Sequence, residues 1–74
     1  MFEGDQTMKE KLVGWMIEFK ESGKRERKLH YKLSDDVRAD ILYLDQEVKC
    51  EYAILYEVYK KGLKRIYKPI EKIV

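Results

Sequence analysis

The sequence predicts a mainly α-helical fold: an N-terminal helix, a short basic strand or loop, then a long helix or two consecutive helices. Three observations carry this. Apolar residues fall at Val37, Ile41, Leu44, Val48, Tyr52, Leu55, Tyr59, Leu63, Ile66 and Ile70, always three or four apart. That is the spacing of one helical face. Met8, Leu12, Trp15, Met16 and Phe19 mark a second such face. Between the two, Leu29, Tyr31 and Leu33 alternate with Lys28, His30 and Lys32, which is the period of a half-buried strand.

The first helix is expected over residues 7–22. Thr7-Met8-Lys9-Glu10 fits a capping box, in which the Thr hydroxyl and the Glu carboxylate satisfy each other's backbone amides. Gly14 costs about 1 kcal/mol inside a helix, and it also allows a second backbone to approach beside Trp15. Ser22-Gly23 supplies the stop, with Gly23 suited to the left-handed position after a helix.

Residues 27–33 are expected to be strand or loop. They sit in the basic run Lys24–Lys32, KRERKLHYK. A strand here has an outward face made only of Lys28, His30 and Lys32.

Residues 35–67 are expected to be helical. Ser34 is a suitable N-cap, and Asp35 and Asp36 fall where the helix dipole favours carboxylates. Asp45 with Lys49, and Glu57 with Lys61, have the i,i+4 order that supports a helix. A competing pattern exists. Val48, Cys50, Tyr52, Ile54, Tyr56 and Val58 alternate at period two, and Tyr and β-branched residues favour strands. Helix is preferred because no Gly, Pro, Asn or Ser punctuates residues 37–61. Gly62 either ends a helix after Lys60-Lys61 or is tolerated within one that reaches Tyr67. Pro69 then discourages further helix, and residues 68–74 are expected to be a tail.

The 74 residues make one small domain. A chain of this size buries only about 60% of its unfolded surface, so folding alone leaves little margin. Cys50 is the only cysteine and His30 the only histidine, so neither a disulfide nor a four-ligand zinc site is available. Self-association as a homodimer is the expected further source of stability.

Net charge is only +2, but its distribution is uneven. Residues 1–23 sum to −2, 24–32 to +4, 33–59 to −5 and 60–74 to +5. No apolar run reaches the roughly 18 residues of a membrane span. The N-terminus lacks a basic segment followed by an apolar one, so a cytoplasmic location is expected. Cys50 has no neighbouring base to activate it. Asp35, Asp36 and Asp40 are better explained by capping than by metal binding. No glycine-rich phosphate loop is present. The chain is therefore expected to be no enzyme, with no cofactor, metal or small-molecule substrate.

A basic strand, a Ser-Asp-Asp cap, a helix with Val37, Ile41 and Leu44, and a second with Tyr52, Leu55, Tyr56, Tyr59 and Leu63 together resemble the ribbon-helix-helix family. These are small dimeric DNA-binding proteins. The resemblance covers about residues 26–63. It implies a repressor-like homodimer whose paired strands enter the major groove of double-stranded DNA. Lys28, His30 and Lys32 would face the bases, with Arg25 and Arg27 adjoining. The family's glycine in the inter-helix turn is missing, since Lys49-Cys50-Glu51 stands there.

A second architecture is a helical hairpin, in which helix 7–22 folds back on one long helix. It implies a protein-interaction module of antitoxin-like, anti-sigma-like or phage or mobile-element inhibitor type, binding a host protein. Trp15, Tyr43, Tyr52, Tyr56 and Tyr59 are the interface candidates, because Tyr and Trp concentrate at binding hot spots. Lys60, Lys61, Lys64, Arg65 and Lys68 form a second basic set, suited to phosphates or to an acidic partner.

Overall fold

The structure, a computed structural model, describes residues 9–74. It has five elements in chain order: β1 (Lys11–Glu21), β2 (Glu26–Lys32), α1 (Arg38–Gln46), β3 (Cys50–Lys61) and β4 (Lys64–Lys72). All strand pairs are antiparallel, and the order across the sheet is β2-β1-β3-β4. Two hairpins thus lie side by side, joined through α1.

The described residues form a β-sheet with one helix, and the mainly α expectation is overturned. The predicted helix 7–22 is strand β1 where it is described; Thr7 and Met8, and with them the capping box, lie outside the described residues. Of the predicted helical region 35–67, only Arg38–Gln46 is helix. Most of its remainder is β3 and the first part of β4, and most of the predicted tail also belongs to β4. Neither the two-helix arrangement of a ribbon-helix-helix chain nor a helical hairpin is present among the described residues. The strand foreseen at 27–33 is β2, but it pairs with β1 of its own chain.

The turns explain the glycines. Lys24 N–H donates to Glu21 C=O at 3.0 Å, and Gly23 has φ +78° at the third position of that turn. A type II turn needs a left-handed residue there. Lys61 pairs with Lys64, leaving Gly62-Leu63 as a two-residue hairpin loop with Gly62 at φ +62°. Gly-X is the sequence of a type II′ turn, whose twist matches the strands. Both glycines therefore reverse strands and do not end helices. Pro69 sits in β4, an edge strand, where its missing N–H breaks no ladder.

The start of α1 also differs from expectation. Ser34 does not cap it; Val37 stands at the N-cap without a side-chain bond. Asp35 Oδ2 instead accepts from Lys32 N–H at 2.7 Å, closing the turn after β2. Asp36 Oδ1 accepts from the Arg38 N–H at 3.0 Å, and its carboxylate also takes the Arg38 guanidinium. That guanidinium, helped by the backbone bond, holds the Asp36 carboxyl down at about 2.

The core lies between the sheet and α1. Ile17, Phe19, Ala53 and Leu55 come from the central strands and Leu44 from the helix. Leu29, Tyr31, Ile41, Val48 and Ile73 pack around them. The Tyr31 hydroxyl donates to Asp40 on α1 at 2.8 Å, tying β2 to the helix. Burial, with Asp40 second, pushes the Tyr31 phenol well above its ordinary range.

Candidate nucleic-acid interface

Strand pairing divides the side chains between two faces, because directly paired residues point the same way. One face carries the core and α1. Among the described residues the other has no element over it. Its rows run across the sheet as Lys32, Gly14, Val58, Tyr67, then His30, Met16, Tyr56, Pro69, then Lys28, Glu18, Ile54, Lys72, then Glu26, Lys20, Tyr52. Beyond Gly14 a bulge intervenes, and Lys11, Lys60 and Arg65 complete the face.

This open face has an apolar centre. Met16 and Val58 are only 5% and 3% exposed. Their row neighbours are long side chains, His30 and Tyr56 beside Met16 and Tyr67 beside Val58. Around the centre lie Lys11, Lys20, Lys28, Lys32, Lys60, Arg65 and Lys72, with the carboxylates of Glu18 and Glu26 in the rows and that of Glu51 reaching Lys20. A basic stripe on one face is the electrostatic footprint of a nucleic-acid partner.

The two carboxylates in the rows are tied to tyrosines. Tyr56 donates to Glu18 Oε1 at 2.9 Å, and Tyr52 donates to Glu26. The Tyr52 bond, with Glu18 second, lowers the Glu26 carboxyl, and Glu26 in turn pushes Tyr52 up to about 12. Glu18 likewise raises Tyr56. The phenol rings are thereby fixed on the sheet surface. Lys20 pairs with Glu51 at 2.5 Å, so it is partly neutralised.

The structure sorts the sequence-derived candidates cleanly. Lys28, His30, Lys32, Lys60, Arg65, Tyr52 and Tyr56 share the open face. Arg27 does not; its guanidinium lies over the Phe19 ring, 5.5 Å from the centroid, on the helix side. Arg25 is in the turn between β1 and β2. Trp15, Tyr59, Lys61, Lys64 and Lys68 belong to the helix-side face. Lys68 is engaged there, bonded to Glu10 at 2.5 Å and 4.5 Å from the Tyr59 centroid. Tyr43 is on α1 and 57% exposed. Lys11, Lys20, Lys72 and Tyr67 were not singled out by sequence, yet they complete the open face. Period-two alternation through Tyr52, Ile54 and Tyr56 is the sequence signal for the central strand β3, and these four join the face only through the pairing of β1 and β4 about it.

Among the described residues no group of three or more His, Cys, Asp or Glu could hold a metal, and no helix is long and apolar enough to cross a membrane. Burial, with Glu21 second, raises the Cys50 thiol, which disfavours the nucleophilic thiolate. No family model, curated protein or solved structure matches this chain.

Proposed function

We propose that this chain is a small cytoplasmic regulatory protein that binds nucleic acid, DNA foremost, through the open face of its sheet, and that it acts by binding and not by catalysis. The observation that carries this is the clustering of seven basic side chains around an apolar, tyrosine-bearing centre on the sheet face that no element among the described residues covers. Lysines at the margin position phosphates, and the centre meets bases.

The deciding variant replaces Lys28, His30 and Lys32 together with Ala. All three are exposed, so the fold should survive. Binding to a labelled oligonucleotide, followed by fluorescence anisotropy at low salt, should weaken at least about tenfold, equivalent to about 1.4 kcal/mol. The salt dependence of the remaining binding should flatten as fewer counterions are released. Wild-type affinity in this variant would remove the open face as the site.

The opposite side of the molecule supports a second contact. Leu42 on α1 is 54% exposed and adjoins Ile41 and Ile73 in a groove edged by Arg38, Asp45 and Glu71. A two-fold contact can set Arg38 of one copy against Asp45 or Glu71 of another, since the same patch serves both sides. This favours a homodimer that leaves the open face free. A host protein is the alternative occupant. Sedimentation equilibrium should give twice the chain mass at micromolar concentration; a monomer at all concentrations would discard the dimer.

A further inference from the structure

We infer that the open face takes unpaired bases, so that the ligand is a single-stranded stretch of DNA or RNA and not a duplex. This rests on the reading that the open face binds nucleic acid. The face contains a hollow of roughly 390 Å³ lined by Met16, Glu18, Lys28, His30, Tyr56 and Tyr67. Its size lies in the range of small-ligand sites, about 300–1,000 Å³. Its lining has the parts that one splayed nucleotide requires.

Tyr56 and Tyr67 flank the hollow, and Tyr67 is 41% exposed. Aromatic rings on a sheet surface are platforms for bases, whose π-faces are available only when unpaired and unstacked. Met16 forms an apolar floor beneath them. Lys28 and His30 stand on β2 at the margin, where a phosphate backbone would run. Glu18 is the deciding residue. It sits beside Lys28 in the same row and repels phosphate from the interior of the face. After accepting from Tyr56, its carboxylate still has lone pairs free. Those suit an exocyclic amino group such as cytosine N4. The arrangement is therefore graded, with phosphates outside and bases inside.

A duplex does not match this grading. Four strands spaced about 4.8 Å apart span about 14 Å before side chains are added. The major groove is about 12 Å wide and admits a two-stranded ribbon. Laid flat on the sheet, a duplex would present phosphates to the centre, where Glu18 and Glu26 stand. Its bases would be stacked on one another and closed to the tyrosines.

The test uses the full chain with three labelled oligonucleotides of about 12 units, within the footprint range of such sites. They are a mixed-sequence DNA strand, the same strand as RNA, and the DNA duplex. Anisotropy at low salt should show one or both single strands bound at least tenfold more tightly than the duplex. The DNA and RNA arms tell which sugar is preferred. Tyr67→Ala should weaken single-strand binding about tenfold to a hundredfold, as loss of one stacked base does. Tyr67→Phe, which keeps the ring, should stay within about threefold. Tyr56→Ala should behave like Tyr67→Ala; because Tyr56 is in a central strand its fold is checked by circular dichroism, and the exposed edge position of Tyr67 keeps the test decisive. Equal or tighter duplex binding, or an unchanged Tyr67→Ala variant, would overturn this inference while leaving the open face as a binding site. No binding to any of the three would remove the proposed function itself.

Discussion

Gly14→Ala should destabilise the protein by about 3 kcal/mol, at or beyond the upper end of over-packing costs. A Cβ at position 14 would fall 2.0 Å from the carbonyl oxygen of Tyr31, with the Tyr31 carbonyl carbon at 3.2 Å and the Lys32 Cα at 3.4 Å. These are backbone atoms, so no side chain can swing aside. The only relief is to part β1 from β2 where Gly14 pairs with Lys32. That movement displaces Lys32 and His30 from the open face. It also withdraws Tyr31 from Asp40 on α1. Stability and nucleic-acid binding should therefore fall together. Gly23→Ala is the control. Its φ of +78° makes Ala strained, but nothing lies within 4 Å of the new Cβ, so about 1 kcal/mol is expected. Urea midpoints of the two variants decide the matter. Equal losses would mean that the close backbone approach at Gly14 is not present in solution.

The place of Gly14 shows what kind of information the sequence carries. A glycine beside a large aromatic residue signals a close approach whatever the secondary structure, and that approach is present. The structure around it was misread because β1 and β3 are the central strands. Each has apolar residues on both faces: Trp15, Ile17 and Phe19 on one, Met16 on the other, then Ala53 and Leu55 against Ile54, Tyr56 and Val58. The run Tyr52-Ala53-Ile54-Leu55-Tyr56 therefore holds an apolar residue at whatever phase is sought. The stripe from Val37 to Ile70 is a helical face only from the N-cap Val37 through Ile41 and Leu44, with Val48 packing on the core just beyond the helix. Beyond it, Tyr52 and Leu55 point to opposite sides of the sheet. The edge strand β2 has one exposed margin and alternates cleanly, which is why it alone was legible as a strand.

The helix-to-strand switch had no punctuation to reveal it. Glu47 and Val48 both donate to Tyr43 C=O, at 2.8 and 3.2 Å, and so end α1 without glycine or proline. Tertiary pairing supplies the reason for the change, since Ser22 N–H donates to Lys49 C=O at 2.9 Å and starts the ladder between β1 and β3. Part of the candidate site survived the wrong fold. Lys28, His30 and Lys32 were grouped by their own alternation, which needs no knowledge of the neighbours. Glu18, Lys72 and Tyr67 joined them only through pairing between strands distant in sequence. A face of a sheet is a property of register, and register is not written in any one segment.

Leu44→Ala should cost about 2–5 kcal/mol, the range for a buried leucine truncated in a core. For 74 residues a total stability of about 4–11 kcal/mol is typical, so this one change removes a large share. The reason is how little holds α1. It has nine residues, too short to persist as a helix in water without packing. Leu44 is its one fully buried side chain, at 3% exposure, with Ile41 partly covered and Val48 packed just beyond its end. Removing Leu44 opens a cavity over Ile17, Phe19, Ala53 and Leu55. The helix then depends on Tyr31 and Asp40, a bond that fails at high pH. The Tyr31 phenol is raised on folding, so its contribution is complete below the ordinary value of 10.0 and declines at higher pH. Leu44→Ala should accordingly show a low melting temperature that drops further in alkali, with loss of helical circular dichroism before strand signal. Leu42→Ala, one face round the same helix and 54% exposed, should change stability by no more than about 0.5 kcal/mol. Similar losses in the two variants would mean that α1 is not what closes the core. Nucleic-acid binding by the surviving fraction of Leu44→Ala should be unchanged in affinity, because the helix lies on the face away from Lys28, His30 and Tyr56.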